Sequence, residues 1–385
     1  MIQKADRLND VKEYYFSLKL REVAALKNAG KPVINIAIGS PDLQPPTSVV
    51  EAIRSAVQLP NAHQYQSYQG IPELREGMAN FYKDKYNVVL NPTSEILPLM
   101  GSKEGIMHIS LAFLNKGDGV LIPNPGYPTY ASVTSLVQAD PLFYNLNAEN
   151  NWLPNFEEIE KNDLSKVKIM WVNYPHMPTG AVASKDDFKQ LIAFAKKHEL
   201  LIVNDNPYSF ILNENPISIL ETEGAKEVAI ELNSLSKTFN MAGWRVGMVV
   251  GDAAILKSIL EVKSNMDSGM FLGIQKGAVE AFKLSNGWFH QQDVIYTERR
   301  KLVWKIFDAL NCTYDTTVGG LFVWAKLPEG QKSEEVTDAL LYEKDVFITP
   351  GTIFGSNGEG YIRASLCVDE VVLNEVLNRL VKVTV

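Results

Sequence analysis

Seven short β-rich runs separated by helical stretches limit what this chain can fold into more than any other feature does. They are 96-ILPLMG-101, 120-VLIP-123, 141-PLFYNL-146, 167-VKIMWVNY-174, 200-LLIVND-205, 228-VAIELNS-234 and 247-GMVVG-251. Several are apolar throughout, as strands covered on both faces should be. Between them lie amphipathic stretches such as 103-KEGIMHISLAFL-114 and 184-SKDDFKQLIAFAKKHE-199. The second opens on a serine with acidic residues in its first turn, a good helix start. Alternation of this kind predicts an α/β fold on a mostly parallel sheet.

After about residue 275 the pattern changes. A long helical stretch through 290-HQQDVIYTERRKLVWKIFDAL-310 leads into 319-GGLFVWAKL-327, 346-VFITPG-351 and 361-YIRASL-366, which read as a smaller α+β domain. Residues 1–45 hold the helix-like 17-SLKLREVAALKNAG-30 and the strand-like 33-VINIAIG-39, a piece expected to pack on the C-terminal part. The predicted division is a large domain over 46–280 and a small domain from 1–45 together with 281–385.

Charge and cysteine content narrow the setting. A net charge of −8 argues against nucleic acid or an anionic membrane as partner. Cys312 and Cys367 form no CxxC pair, so a reduced, cytoplasmic protein fits best. The opening MIQKADRLNDVKEYYF lacks the apolar core of a signal peptide, and no apolar run is long enough to span a bilayer.

Open α/β sheets bind ligands outside the carboxyl ends of their strands. Three such ends carry polar residues. Asp205 closes 200-LLIVND-205 before 206-NPY-208, Asn173 precedes 175-PHMPTG-180, and Ser234, Ser236 and Lys237 follow 228-VAIELN-233. In 234-SLSKTFNMAGWRVG-247 Lys237 sits among hydroxyl residues, eight positions before Arg245. Such a lysine is either a solvated surface charge or a covalent handle for a carbonyl cofactor. An aspartate at a strand end caps or turns the chain as readily as it catalyses. Arg363, inside an otherwise apolar strand, is costly without an anion and points to a ligand.

Taken together, S-x-S-K-x7-R, D-x-x-Y, x-P-T-G, Y-x4-G-x3-L-R and a late R-x-S resemble the signature of class I/II aminotransferases. These are pyridoxal 5′-phosphate enzymes of the aspartate aminotransferase fold, fold type I. The resemblance runs from about residue 33 to residue 366. It implies a large domain with a mostly parallel seven-stranded sheet plus a smaller α+β domain. The wording of 101-GSKEG-105 and 205-DNPYS-209 is similar to the LL-diaminopimelate group within that family.

The resemblance also implies roles. Lys237 would hold the cofactor aldehyde as an imine and then carry a proton, which needs a lowered pKa. Asp205 would keep the ring nitrogen protonated, and Tyr208 would hydrogen-bond the phenolate oxygen. Arg245, Ser234, Ser236, Ser102 and Lys103 would take the phosphate, aided by the helix start after Gly101. Tyr127 would stack on the ring, Arg363 would clamp the substrate carboxylate, and the backbone of Gly39 would lie beside the substrate. Tyr65 would reach the phosphate of a neighbouring subunit, which implies a homodimer. Tyr14, with Tyr15, suits an N-terminal segment folding over the site.

Two positions depart from the family pattern. The residue before PTG is usually asparagine and here is Met177, which has no amide donor. Tyr208, Asn173 or His176 would then cover the missing contact. Dicarboxylate-specific relatives often bind the side-chain carboxylate with an arginine from the partner subunit, and Lys263 is the nearest matching cation. It would either serve less selectively than arginine or, as favoured here, be a solvated helix-end charge. The expected activity is transamination of an aspartate-like or related amino acid, with 2-oxoglutarate as acceptor. A carbon–sulfur β-lyase of the cystathionine type is the alternative. A DNA-binding regulator carrying such a domain is disfavoured by the absence of a helix-turn-helix extension or basic stripe.

Overall fold

The computed structural model describes residues 2–9, 11 and 13–381. After a short β1 (Ile34–Asn35) the chain lays down β2 (Ile96–Leu99), β3 (Gly119–Asn124), β4 (Asp140–Asn145), β5 (Val167–Val172), β6 (Leu201–Asp205), β7 (Ala229–Ser234) and β8 (Gly247–Val250). Each of the seven apolar runs thus supplies one strand of a single sheet, ordered β2-β8-β7-β6-β5-β3-β4. The neighbours from β7 to β4 pair in parallel, whereas β8 is antiparallel to both β2 and β7.

The continuous apolarity of the inner strands follows from burial on both faces, whereas the edge strand β4 is largely exposed, with Phe143 facing solvent. Successive side chains alternate between two cores. Leu121, Met170, Ile202 and Met248 join one; Val120, Ile122, Ile169, Trp171, Val203, Ile230 and Val249 join the other. Helices cover these faces, among them Ser102–Phe113 and Lys185–His198. Ser184 and Asp187 close the second as a reciprocal capping box, the cap that its serine start implied.

Further along come β9 (Thr313–Tyr314), β10 (Phe322–Lys326), β11 (Val346–Phe347), β12 (Thr349–Pro350) and β13 (Tyr361–Ser365). An antiparallel sheet runs β12-β13-β10-β9, and β1 pairs in parallel with β11. Ser365 N–H donates to Ile36 O at 2.7 Å, tying the N-terminal segment to β13. A third core joins Phe16 and Val33 to Val303 and Phe307 of the long helix Asn286–Ala309. Met177 and Tyr208, from loops at the larger sheet's strand ends, belong to this core too. Among the described residues no helix is long and apolar enough to cross a membrane.

Gly247 stands opposite Leu99 on one side and Ser234 on the other. That register brings the turn after β2 and the end of β7 to one edge, beside the ends of β5 and β6.

Candidate functional site

At that edge a cavity of about 630 Å³ opens, and the site residues expected from the sequence line it, except Tyr65 and the alternatives His176 and Lys263. β6 ends on Asp205, only 6% exposed. Tyr130 Oη donates to its Oδ2 at 3.0 Å, while Oδ1 is buried with no partner. Burial pushes the Asp205 pKa up to about 7; the Tyr130 hydrogen bond opposes this and the charge of Glu231 adds to it. Asn173, just beyond β5, donates from Nδ2 to Asp205 O and accepts from Met177 N–H at 2.8 Å. One side chain therefore fixes both the aspartate and the PTG turn.

β7 ends on Ser234 and turns into the short helix Leu235–Thr238, which presents Ser236 and Lys237. Lys237 Nζ donates to Gly39 O. Burial lowers the lysine pKa; the neighbouring Cys367 opposes this, and the guanidinium charges of Arg363 and Arg245 add to it. The amine is thereby shifted towards its neutral, nucleophilic form.

One end of the cavity gathers groups that favour an anion. Helix Ser102–Phe113 starts here, and its first N–H groups have no partner within the helix. Gly101 precedes it at φ 90°, and a Cβ there would lie 2.1 Å from Arg245 Nη2. A Cβ on Gly247 would come within 2.7 Å of Ser102 N. Bare backbone at both positions lets the guanidinium and the helix start approach one point. Met100 N–H donates to Glu104 Oε2 at 2.6 Å and pins the turn. Lys103 Nζ lies 4.6 Å from the centre of the Tyr14 ring, and burial lowers its pKa, with Arg245 adding to the shift.

The opposite wall is mostly apolar, with the hydroxyls of Tyr14 and Ser17 and one charged side chain among the described residues, Arg363 of β13, which is 3% exposed. Its guanidinium carbon lies 3.8 Å from the Phe322 ring centre, 4.6 Å from Phe354 and 5.7 Å from Phe16. Nη2 donates to Ala37 O at 3.0 Å and Nη1 to Met177 Sδ at 3.2 Å, while Nε has no partner. Burial brings its pKa down to about 10. A buried guanidinium without a carboxylate among its described partners is a costly arrangement that a carboxylate ligand would relieve. A Cβ on Gly39 would fall 2.2 Å from the Phe322 ring, so glycine is what lets this backbone into the site.

Several expectations change. Lys263 is not a solvated charge: it is 2% exposed, 2.7 Å from Asp267 Oδ2, and outside the cavity. Asp267 follows four residues on, just past the end of helix Ala253–Lys263, and its carboxylate packs inward with the ammonium. His176 does not line the cavity either; its Nδ1 is 2.8 Å from Thr179 Oγ1 inside the turn. Tyr65 is 90% exposed, away from this chain's cavity. Sequence reading missed Tyr130, although it follows Tyr127 by three residues, the spacing of one helical face. It also missed Phe16, Leu20, Ile38, Phe322 and Phe354 as lining residues.

Comparison with known proteins adds independent findings. The family model for aminotransferase class I and II matches residues 31–380. LL-diaminopimelate aminotransferase from Dehalococcoides mccartyi is 42% identical over 376 residues, 97% of each chain. That of Maridesulfovibrio salexigens is also 42% identical, over 98% of each chain. Among solved structures, apo-BacF from Bacillus subtilis has a TM-score of 0.95 at 36% identity, covering 100% of this chain and 99% of that one. A Thermus thermophilus aspartate aminotransferase mutant has a TM-score of 0.92 at 25% identity over the whole of both chains.

Proposed function

Because this chain belongs to the class I and II aminotransferases, pyridoxal 5′-phosphate enzymes, we propose that Lys237 is the amine that holds its cofactor and moves the substrate proton. The chain is a transaminase, and its substrates are an amino acid and a 2-oxo acid. The carbon–sulfur β-lyase alternative is not favoured, since the family and the relatives above are aminotransferases.

The residues present fit the cofactor. A buried carboxylate oxygen on Asp205 lacks a partner, and Gly101 leaves a cradle that a Cβ would fill. When bound, pyridoxal phosphate supplies an aldehyde for an amine and a ring that withdraws electrons from the substrate Cα. Asp205, steadied by Tyr130, would hold the ring nitrogen in its protonated form. Arg245, the N–H groups of the helix start, and the hydroxyls of Ser102, Ser234 and Ser236 would bind the phosphate, with Lys103 beside them. Tyr127 would lie against the ring and Tyr208 would hydrogen-bond the phenolic oxygen. Asn173 already uses its amide on two backbone groups and His176 lies outside, which favours Tyr208 for the contact that Met177 cannot make.

Arg363 would clamp the substrate α-carboxylate in a two-point fork, next to the Gly39 backbone and beneath Tyr14. Lys237 Nζ, its pKa lowered, would take the proton from the substrate Cα and give it back in the product. One observation carries this reading: Lys237, Asp205 and Arg363 come from three different strand ends or strands and meet in one cavity. A panel of amino donors, followed by the cycling of cofactor absorbance with and without a 2-oxo acid, tests it. Wild-type protein should cycle and Lys237→Ala should not; cycling of the variant at the wild-type rate would refute the assignment.

A cytoplasmic homodimer completes the proposal, with the exposed Tyr65 reaching the neighbouring subunit's phosphate. Light scattering of the purified protein checks the dimer directly.

A further inference from the structure

We propose that Glu231, a buried carboxylate outside the cavity, is a positioning residue that holds the strand ends presenting Asn173, Asp205 and Ser234 from the other face of the larger sheet. What those ends then bind rests on the aminotransferase reading.

Glu231 lies in the middle of β7 with 0% exposure, paired with Asn204 of β6, the residue before Asp205. Its side chain joins the face that holds Tyr82, whereas Asp205 turns to the face of Tyr130. Its carboxylate accepts from Tyr82 Oη at 2.9 Å on Oε1, and from Asn204 Nδ2 at 2.9 Å and Ile219 N–H at 3.1 Å on Oε2. Burial raises its pKa, and these hydrogen bonds oppose the shift. A carboxylate is costly in a core that hydrocarbon could fill, so what matters is where its bonds lead.

One arm runs to the ring-nitrogen side of the site. The pairing of β5 with β6 stops at Val172 and Asn204, so the backbone ladder does not fix the turn beyond. There the side chain of Asn204 takes over: its Oδ1 accepts from Tyr174 N–H at 3.2 Å. Tyr174 follows Asn173, whose amide donates to Asp205 O and accepts from Met177 N–H at 2.8 Å. Glu231 thus orients Asn204, and Asn204 orients the turn that steadies the aspartate. A second, weaker arm runs to the phosphate side. Asn233 Nδ2 lies 3.4 Å from Tyr82 Oη, and Asn233 Oδ1 accepts from Ser234 N–H at 2.8 Å. Both arms start at one carboxylate, and neither reaches the facing wall of Arg363.

The test compares Glu231→Leu, which fills the space and removes the acceptors, with Glu231→Gln, which keeps a carbonyl for Asn204 and Ile219. At saturating pyridoxal phosphate, Glu231→Leu should lower kcat by about thirtyfold with the KM of the amino donor unchanged, and Glu231→Gln should recover to within about threefold of wild type. Should the leucine variant fail to fold, Asn204→Ala cuts the first arm alone and should lower kcat by about tenfold, again without moving KM. Hydrogen exchange of the cofactor-free proteins gives a second readout. Either variant, Glu231→Leu or Asn204→Ala, should speed exchange at the Tyr174 and Met177 amides and leave the β13 peptide that carries Arg363 as in wild type. A kcat close to wild type in the folded variant, or exchange that rises equally in β13, would make Glu231 an ordinary part of the core and overturn the inference. Wild-type protein that binds no pyridoxal phosphate would end the aminotransferase reading instead, and the exchange comparison would still decide for or against Glu231.

Discussion

On the wall made by the larger sheet, each polar group sits at or just past a strand end: Asn173 after β5, Asp205 closing β6, Ser234 closing β7. Their places are set by backbone register and by hydrogen bonds, such as those from Asn173 and Tyr130. On the facing wall the groups come from the middle of β13, the start of β10 and the N-terminal helix, and packing sets their places. The first wall holds charge where chemistry needs it. The second offers shape and a single guanidinium. Substitutions on the first should therefore damage turnover, whereas those on the second should redirect binding.

The largest expected effect belongs to the first wall. Lys237→Ala, and equally Lys237→Arg, should lower kcat by about four orders of magnitude or more with the fold intact by circular dichroism. A loss of only tenfold would erase the distinction between the walls. Next comes Arg363→Leu, which removes a buried charge from the second wall. It should cut kcat/KM by about a hundredfold or more, because the substrate carboxylate loses its partner. The cofactor-free variant should nevertheless melt higher than wild type, since an unpaired buried guanidinium has gone. A lower melting temperature would mean that its bonds to Ala37 and Met177 outweigh its desolvation.

Asp205 gives an effect of a few kcal/mol that depends on pH. Its folded pKa, about 7, lies above the ordinary carboxylate value of 3.8. The folded state thus holds the proton more tightly than the unfolded one, and cofactor-free protein should lose stability as pH rises from about 4 to 7. Asp205→Asn should lack that loss, which thermal unfolding of both proteins between pH 5 and 8 would measure. Identical slopes would remove the buried carboxylate from the account. The smallest effect concerns the anion cradle. Gly101→Ala forces a Cβ into Arg245 at φ 90° and should weaken cofactor retention by about tenfold, read by dialysis and absorbance.

These differences also explain what the sequence disclosed. The inner strands were legible because burial on both faces leaves uninterrupted apolar runs; the exposed edge strand β4 was legible from its β-rich residues alone. Asp205 and Lys237 were legible because a polar residue ending such a run breaks the pattern, and the family resemblance then gave each a role. The reversed direction of β8 was not legible, since pairing rather than composition decides it. Phe16, Phe322 and Phe354 stayed hidden for a simpler reason: an aromatic residue lining a cavity looks the same in sequence as one filling a core. Lys263 carried a signal in Asp267 four residues on, but the burial of that helix end is a tertiary fact. The strand expected over 33-VINIAIG-39 shrinks to Ile34–Asn35 because its partner β11 is itself two residues long.

The central claim is that the amine of Lys237 holds the cofactor. Treating holoenzyme with borohydride fixes the cofactor to whichever amine holds it, and mass mapping of the peptides then locates the label. The expected result is one labelled peptide, modified at Lys237. A label on Lys103 or any other lysine, or none at all on protein that has bound the cofactor, would contradict it.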